Sequence, residues 1–223
     1  MKIALIGATG FVGQALLAEL LQRGHQVTAL IRQPMADPVK LPPQAGLSTA
    51  TADAMDGDAV CAAVRGHDAV VSAFNPGWHD ADLYEKFMRG SEAIVRGVET
   101  SGVKRLLVVG GAGSLFVAPG VQLVDTAVFA EQAPAWVIPG ARAARDALAA
   151  MRGNTALDWT FLSPAVHLEV GPRTGAYRVG GEDVLMASDG PAGISVADMA
   201  IAIVDELERP CHLRARFTVA SLE

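Results

Sequence analysis

The sequence predicts an α/β fold, a doubly wound parallel sheet covered by helices on both faces. Short aliphatic or β-branched runs alternate along the chain with longer segments of helical periodicity. Several of those runs, AVVSAF (69–74) and RLLVVGG (105–111) among them, are almost wholly apolar. Strands buried on both faces have that composition.

KIALIG (2–7) is the first strand and leads into a helix over 11–23. QVTALIR (26–32) and LSTATAD (47–53) follow as strands, then a helix over 57–65 in which Cys61 is a small buried residue. After the strand at 69–74 come a helix over 82–101, the strand at 105–111, a helix over 140–152, the strand DWTFLSP (158–164) and a last helix over 196–208. Asp82 with Glu85, and Ser195 with Asp198, have capping-box spacing at two helix starts. Strand, helix and strand at these lengths imply right-handed parallel crossovers. The segment 165–190 changes character, rich in glycine and polar residues, and predicts a small irregular C-terminal lobe on the substrate side, with a hairpin in its second half. The 223 residues are expected to form a single domain.

Composition excludes several classes. Apolar residues make up 51% and charged residues 19%, far from the composition of disorder. The net charge is −6 without a run of Lys or Arg, which argues against a nucleic-acid partner. The uncharged stretch 106–124 is interrupted by Gly110, Gly111, Gly113, Pro119 and Gly120, so no membrane span is expected there. The N-terminus enters a strand at once, without the apolar core of a signal peptide, and the two cysteines, Cys61 and Cys211, fit free thiols; a cytoplasmic location is expected. His79, Asp80 and Asp82 have no second histidine at helical spacing and no cysteine pair beside them, so no metal site is expected and Asp82 reads as a helix cap.

The sharpest signal is GATGFVG, which places Gly7, Gly10 and Gly13 between the first strand and the first helix. The spacing is one residue longer than the Rossmann-type dinucleotide fingerprint, but the physics is shared: a tight turn, backbone approach to a pyrophosphate, and close helix packing. The helix N-terminus then offers amides to negative charge. Arg32 stands at the end of the second strand, where NAD sites place an acid, and the next acid is Asp37. Its guanidinium suits a 2′-phosphate, so NADP(H) is favoured and NAD(H) is second; a solvated strand-end charge is the alternative.

With GATGFVG, the stretches HDAVVSAFNPG, GVKRLLVVGGAGSLFVAPG, LDWTFLSPA, RTGAYRVGG and ISVADMAIAIVDELERP resemble the atypical NAD(P)H-binding branch of the short-chain dehydrogenase/reductase superfamily. NADH-flavin reductases resemble the chain most, biliverdin reductase B and NmrA-like proteins more distantly. The resemblance implies that Thr9, Gly10, Phe11 and Val12 contact the pyrophosphate or nicotinamide side, that Asp53 lies near the adenine, and that Ala73, Phe74 and Asn75 line the cofactor. It also implies that Ser163, Pro164 and Ala165 flank the nicotinamide. Read alone, Asp53 and Asn75 are equally good turn residues.

One departure bears on chemistry. The Tyr-x-x-x-Lys pair of typical superfamily members is missing, since no tyrosine or lysine occurs between Asp125 and Thr160. Arg142 and Arg145 are read as solvent-facing, and Tyr84 and Lys86 belong to another helix. A hydride acceptor that is already an electron sink needs little help from a protein acid. The expected activity is therefore an NAD(P)H-dependent reductase of a planar acceptor, a flavin or quinone. Ser114 and His167 are the candidate catalytic residues, Ser114 as a positioning hydroxyl and His167 as a water-linked proton donor. The glycines around Ser114 are expected to let cofactor or acceptor approach the backbone. Trp78 is read first as a packing residue and second as a contact to the acceptor. The alternative function is a non-catalytic NADP(H)-binding redox sensor acting through a protein partner; an isomerase or epimerase is weaker without the tyrosine. Oligomeric state is left open.

Overall fold

The computed structural model describes residues 1–32, 41 and 43–222. In chain order its elements are β1 (Lys2–Ile6), α1 (Phe11–Gln22), β2 (Gln26–Ile31), β3 (Leu47–Thr51), α2 (Gly57–Val64), β4 (Ala69–Ser72), α3 (Leu83–Ser101) and β5 (Arg105–Val109). Then follow β6 (Phe116–Ala118), β7 (Val121–Gln122), α4 (Ala127–Gln132), α5 (Ile138–Met151) and β8 (Asp158–Pro164). The chain ends with β9 (His167–Glu169), β10 (Tyr177–Gly180), β11 (Met186–Ala187), β12 (Gly190–Pro191), β13 (Gly193–Ser195), α6 (Val196–Glu208) and β14 (Ala215–Ser221).

The main sheet runs β10-β14-β8-β5-β4-β1-β2-β3, parallel except for the antiparallel edge strand β10. The chain builds outward from β1 to β3, returns to β4 on the other side of β1, and builds outward again. The strand order therefore reverses between β1 and β4, where Ile6 pairs with Leu30 on one side and Ser72 on the other. Neighbouring residues alternate between two cores, as the strand period requires. Leu5, Val71 and Leu107 pack with Leu16, Leu20, Met199 and Ile203 of α1 and α6. Ala4, Val70 and Leu106 pack with Val60, Ile94, Val98 and Leu148 of α2, α3 and α5. The predicted doubly wound α/β fold is the observed one.

Several local features differ from expectation. The seventh parallel strand, β14, pairs Ala215 through Val219 with Thr160 through Pro164, and α4 is a further short helix; neither was predicted. In the segment 165–190 small sheets form the expected C-terminal lobe, while one strand joins the main sheet. β9 pairs with β13, β10 extends the main sheet, and β11 forms the expected hairpin with β12. Asp82 makes no side-chain cap bond, because its backbone (φ −104°, ψ 30°) is not extended as a cap requires. Ser195 does cap α6, accepting the Asp198 amide at 3.0 Å, but the Asp198 carboxylate does not reach back. It accepts the amides of Thr174 and Gly175 at 2.7 and 2.9 Å.

That contact belongs to a polar clasp holding residues 173–177 onto α1 and α6. Glu19, 2% exposed, accepts from Arg23 at 2.7 Å and from Arg173 at 2.8 Å, while Asp205 accepts from Arg23 and the Tyr177 hydroxyl. Burial alone would raise the carboxyl pKa values of Glu19 and Asp198. The guanidinium bonds at Glu19, and the Thr174 hydroxyl with the two amides at Asp198, outweigh it and hold both below their ordinary values. A depressed folded pKa stabilises fully above the unfolded value, and that contribution is lost as pH falls through the folded one. Urea unfolding should therefore show stability declining below about pH 4. Asp198→Asn should cost about 1–3 kcal/mol at pH 7 and make that acid decline shallower.

Candidate cofactor site at the reversal of the strand order

Gly7 leaves β1 with φ +81°, a conformation that L side chains rarely adopt, and a Cβ there would lie 2.4 Å from the Ala73 carbonyl oxygen. The first loop thus rests directly on the chain leaving β4. Gly10, extended at φ −81° and ψ 172°, donates to the Gly7 carbonyl at 3.0 Å and opens α1. A Cβ on Gly13 would stand 1.9 Å from the same carbonyl oxygen, so the first helical turn is pressed onto the loop. The amides of Phe11, Val12 and Gly13 have no acceptor among the described residues. Loop, bare helix start and strand-order reversal coincide, which is the geometry that receives a dinucleotide pyrophosphate. The residues fit the group: Gly7, Gly10 and the first turn of α1 would hold it.

Around this cradle, Thr9 and Val12 are half-buried, and Gly10 and Phe11 are exposed. Arg32 is exposed just beyond β2 and has no ion-pair partner among the described residues. Asp37 lies outside them. Asp53 and Asn75 each accept an amide two residues ahead, Met55 at 2.9 Å and Gly77 at 2.8 Å, so both shape turns at strand exits. Ala73 is at the loop contact described above. The Phe74 ring faces α3, where a Cβ on Gly90 would meet it at 2.2 Å.

Ser114 and Ser163 are brought together, their hydroxyl oxygens 3.0 Å apart at the ends of β5 and β8. Both are completely buried, as are Pro164 and Ala165 for the most part. Ser114 also donates to the Gly111 carbonyl at 3.2 Å, and Gln122 donates to the Ser114 carbonyl at 2.9 Å. Behind the pair lies Arg216 of β14, 3% exposed, whose Nη1 reaches Ser114 at 3.3 Å and Ser163 at 3.5 Å. Its Nη2 donates to the carbonyl and carboxylate of Glu182. Burial would raise the Glu182 carboxyl pKa, but Arg216 and Arg152 pull it below its ordinary range, so Glu182 is held ionised. Sequence reasoning missed Arg216 and Glu182; the available signal was a charged residue within the apolar pattern ARFTVAS.

Gly110 and Gly113, shortly before Ser114, do not open the backbone to a ligand as expected. A Cβ on Gly110 would lie 1.9 Å from the Phe161 ring, and one on Gly113 would press on Val124 and Ala141 at 3.1 and 3.2 Å. Their vacated volume is filled by β8, by α5 and by the turn carrying Val124. His167 is exposed on β9 and shares no hydrogen bond with either serine among the described residues. Arg145 is bound to Asp125 at 3.0 Å and to Asp146, while Arg142 is exposed. Tyr84 donates to Asp146 at 2.8 Å, which raises its phenol pKa, and Lys86 is paired with Asp80 at 2.8 Å. Neither can stand in for the missing pair.

Comparison with known proteins agrees with this geometry. A family model described as NAD(P)H-binding matches residues 7–210. The Bacillus subtilis protein YwnB is 38% identical over 224 residues, covering 99% of each chain. A Bacteroides thetaiotaomicron structure provisionally named an epimerase is 42% identical, with a TM-score of 0.89 and coverage of 100% of this chain and 97% of that one. A Streptococcus pneumoniae structure provisionally named an NADH-flavin reductase is 33% identical, with a TM-score of 0.82 and full coverage of both chains.

Gly13→Ala tests the cradle, because its methyl group has nowhere to go but into the Gly7 carbonyl. Titration with NADPH should show at least a tenfold loss of affinity, and urea unfolding a loss of about 1–3 kcal/mol. The glycine turn over β4, the bare start of α1 and a family match across nearly the whole sequence lead to one conclusion: this chain belongs to the NAD(P)H-binding family.

Proposed function

We propose that the chain is an NADPH-dependent reductase of a flavin or quinone. One observation carries the choice of acceptor: the hydroxyl and amine groups that could replace the missing Tyr-x-x-x-Lys pair are already engaged. Ser114 and Ser163 are closed against Arg216, Tyr84 is bound to Asp146, and Lys86 to Asp80. An acceptor that needs no protein acid suits such a site, whereas an alcohol, ketone or epimerised sugar does not. The relative named provisionally as an NADH-flavin reductase supports the same reading.

When bound, NADPH supplies a hydride, which with one proton from water brings an oxidised flavin or quinone to its dihydro form. The protein's own residues bind and orient. The α1 amides hold the pyrophosphate, Arg32 pairs with the 2′-phosphate, and the Ser114–Ser163–Arg216 network keeps the ends of β5 and β8 in place. Ser114 thus positions the wall of the site. His167, exposed on β9, is hydrogen-bonded to neither serine among the described residues, and the proton comes from solvent. Cys61 and Cys211 are free, which fits a reducing, cytoplasmic compartment. No helix among the described residues is long and apolar enough to cross a membrane.

Purified protein mixed with NADPH and a panel of flavins and quinones should consume NADPH, followed by nicotinamide absorbance. Tight NADPH binding without turnover across the panel would instead identify a redox sensor. Arg32→Ala should weaken NADPH at least tenfold while leaving NADH nearly unchanged; equal losses would reject the NADPH preference.

A further inference from the structure

We infer that Trp78 and Trp136 form the stacking platform for the planar acceptor, an inference that rests on the reductase reading above. The two indoles meet edge to face, with centroids 5.8 Å apart and planes at 74°, and His79 packs on Trp136 at 5.2 Å. Each tryptophan is 46% exposed, whereas the third, Trp159, is 1% exposed in the core. Leaving two large apolar side chains half in water forgoes burial that a purely structural role would complete.

The platform is built, not incidental. Trp78 sits on the first turn of α5, where a Cβ on Gly140 would be 2.8 Å from its ring, so only glycine leaves the seat free. The loop carrying it is pinned at several points. Asn75 accepts the Gly77 amide at 2.8 Å, Asp80 donates its amide to the Gly77 carbonyl at 3.1 Å, and Lys86 grips the Asp80 carboxylate at 2.8 Å. Leu83, 2% exposed, anchors the far end of the loop. Aromatic surface held this rigidly loses little entropy when a ring stacks on it.

Position selects the occupant. Trp78 follows the residues Ala73 and Phe74 that abut Gly7, so the platform continues the cofactor cradle on the side of β4 toward β5. Trp136 precedes α5, the helix that packs on the turn at Ala112–Ser114. A flat, electron-poor ring lying on these indoles would therefore stand beside the end of the sheet where the hydride emerges. Isoalloxazines and quinones share that chemistry, and extended aliphatic substrates do not.

The test uses the full chain with NADPH and two hydride acceptors, riboflavin and 1,4-naphthoquinone, with NADPH affinity measured beside them. Trp78→Leu and Trp136→Leu should each raise the KM for riboflavin and naphthoquinone at least tenfold, with kcat and NADPH affinity within twofold of the parent. Trp78→Phe should recover most of the lost affinity. Unchanged riboflavin and naphthoquinone KM values in both leucine variants would overturn the platform, as would an equal loss of NADPH affinity. If the parent protein reduces neither acceptor, the reductase reading fails and binding decides the platform separately. Riboflavin should then quench the fluorescence of Trp78 and Trp136 in the NADP-loaded protein, with saturation lost in the leucine variants. Absence of saturable quenching in the parent would overturn the inference.

Discussion

Helix α1 sits so low on the end of β1 that a Cβ on Gly13 would lie 1.9 Å from the Gly7 carbonyl oxygen, and the rest of the cofactor end follows from that approach. With no side chain between them, the loop backbone, the first helical turn and the exit of β4 touch directly. The amides of Phe11, Val12 and Gly13 are thereby fixed relative to the end of the sheet. A longer loop or any side chain at these glycines would lift the helix and spread the donors. Because β2 and β4 flank β1 on opposite sides, the same contact also sets where Arg32 and the loop carrying Trp78 stand relative to those donors.

Two buried arginines tie the remaining strands together at opposite ends of β8. Arg105, at the start of β5, donates to the Asp158 carbonyl at 2.9 Å, to Thr160 at 2.6 Å and to the Glu206 carboxylate at 3.1 Å. Glu206 in turn accepts the amides of Cys211 and His212, which anchors the loop leading into β14. Arg216 does the corresponding work at the carboxyl end through Ser114, Ser163 and Glu182. Buried charges are costly unless nearly every hydrogen-bonding group finds a partner, so each arginine organises the loops around it. The serine pair takes its rigidity from this network and gives up its freedom to act on a substrate.

Six of the seven parallel strands and the long helices were legible because their signals are local: apolar runs of strand length, helical periodicity, and the Ser195 cap of α6. β14 was overlooked because its alternating pattern includes Arg216, whose burial makes sense only beside Ser114, Ser163 and Glu182. Asp82 looked like a cap from spacing alone. In the fold Asp80 accepts the Asp82 amide at 2.9 Å and grips Lys86, leaving the start of α3 in a different backbone conformation. The clasp around Glu19 was invisible for a related reason, since Arg173 comes from a segment remote in the chain.

The glycines divide most clearly what sequence determined from what folding decided. Gly7, Gly10 and Gly13 announce a nucleotide turn from the sequence, because their spacing, the preceding strand and the following helix are all local. Gly110 and Gly113 look equally open in sequence, yet Phe161, Val124 and Ala141 occupy the space they leave. A glycine specifies only that a Cβ is missing. Whether the vacated volume admits a ligand, a ring from the next strand or the carbonyl beneath a helix depends on packing between residues far apart in the chain, and only the tertiary structure decides that.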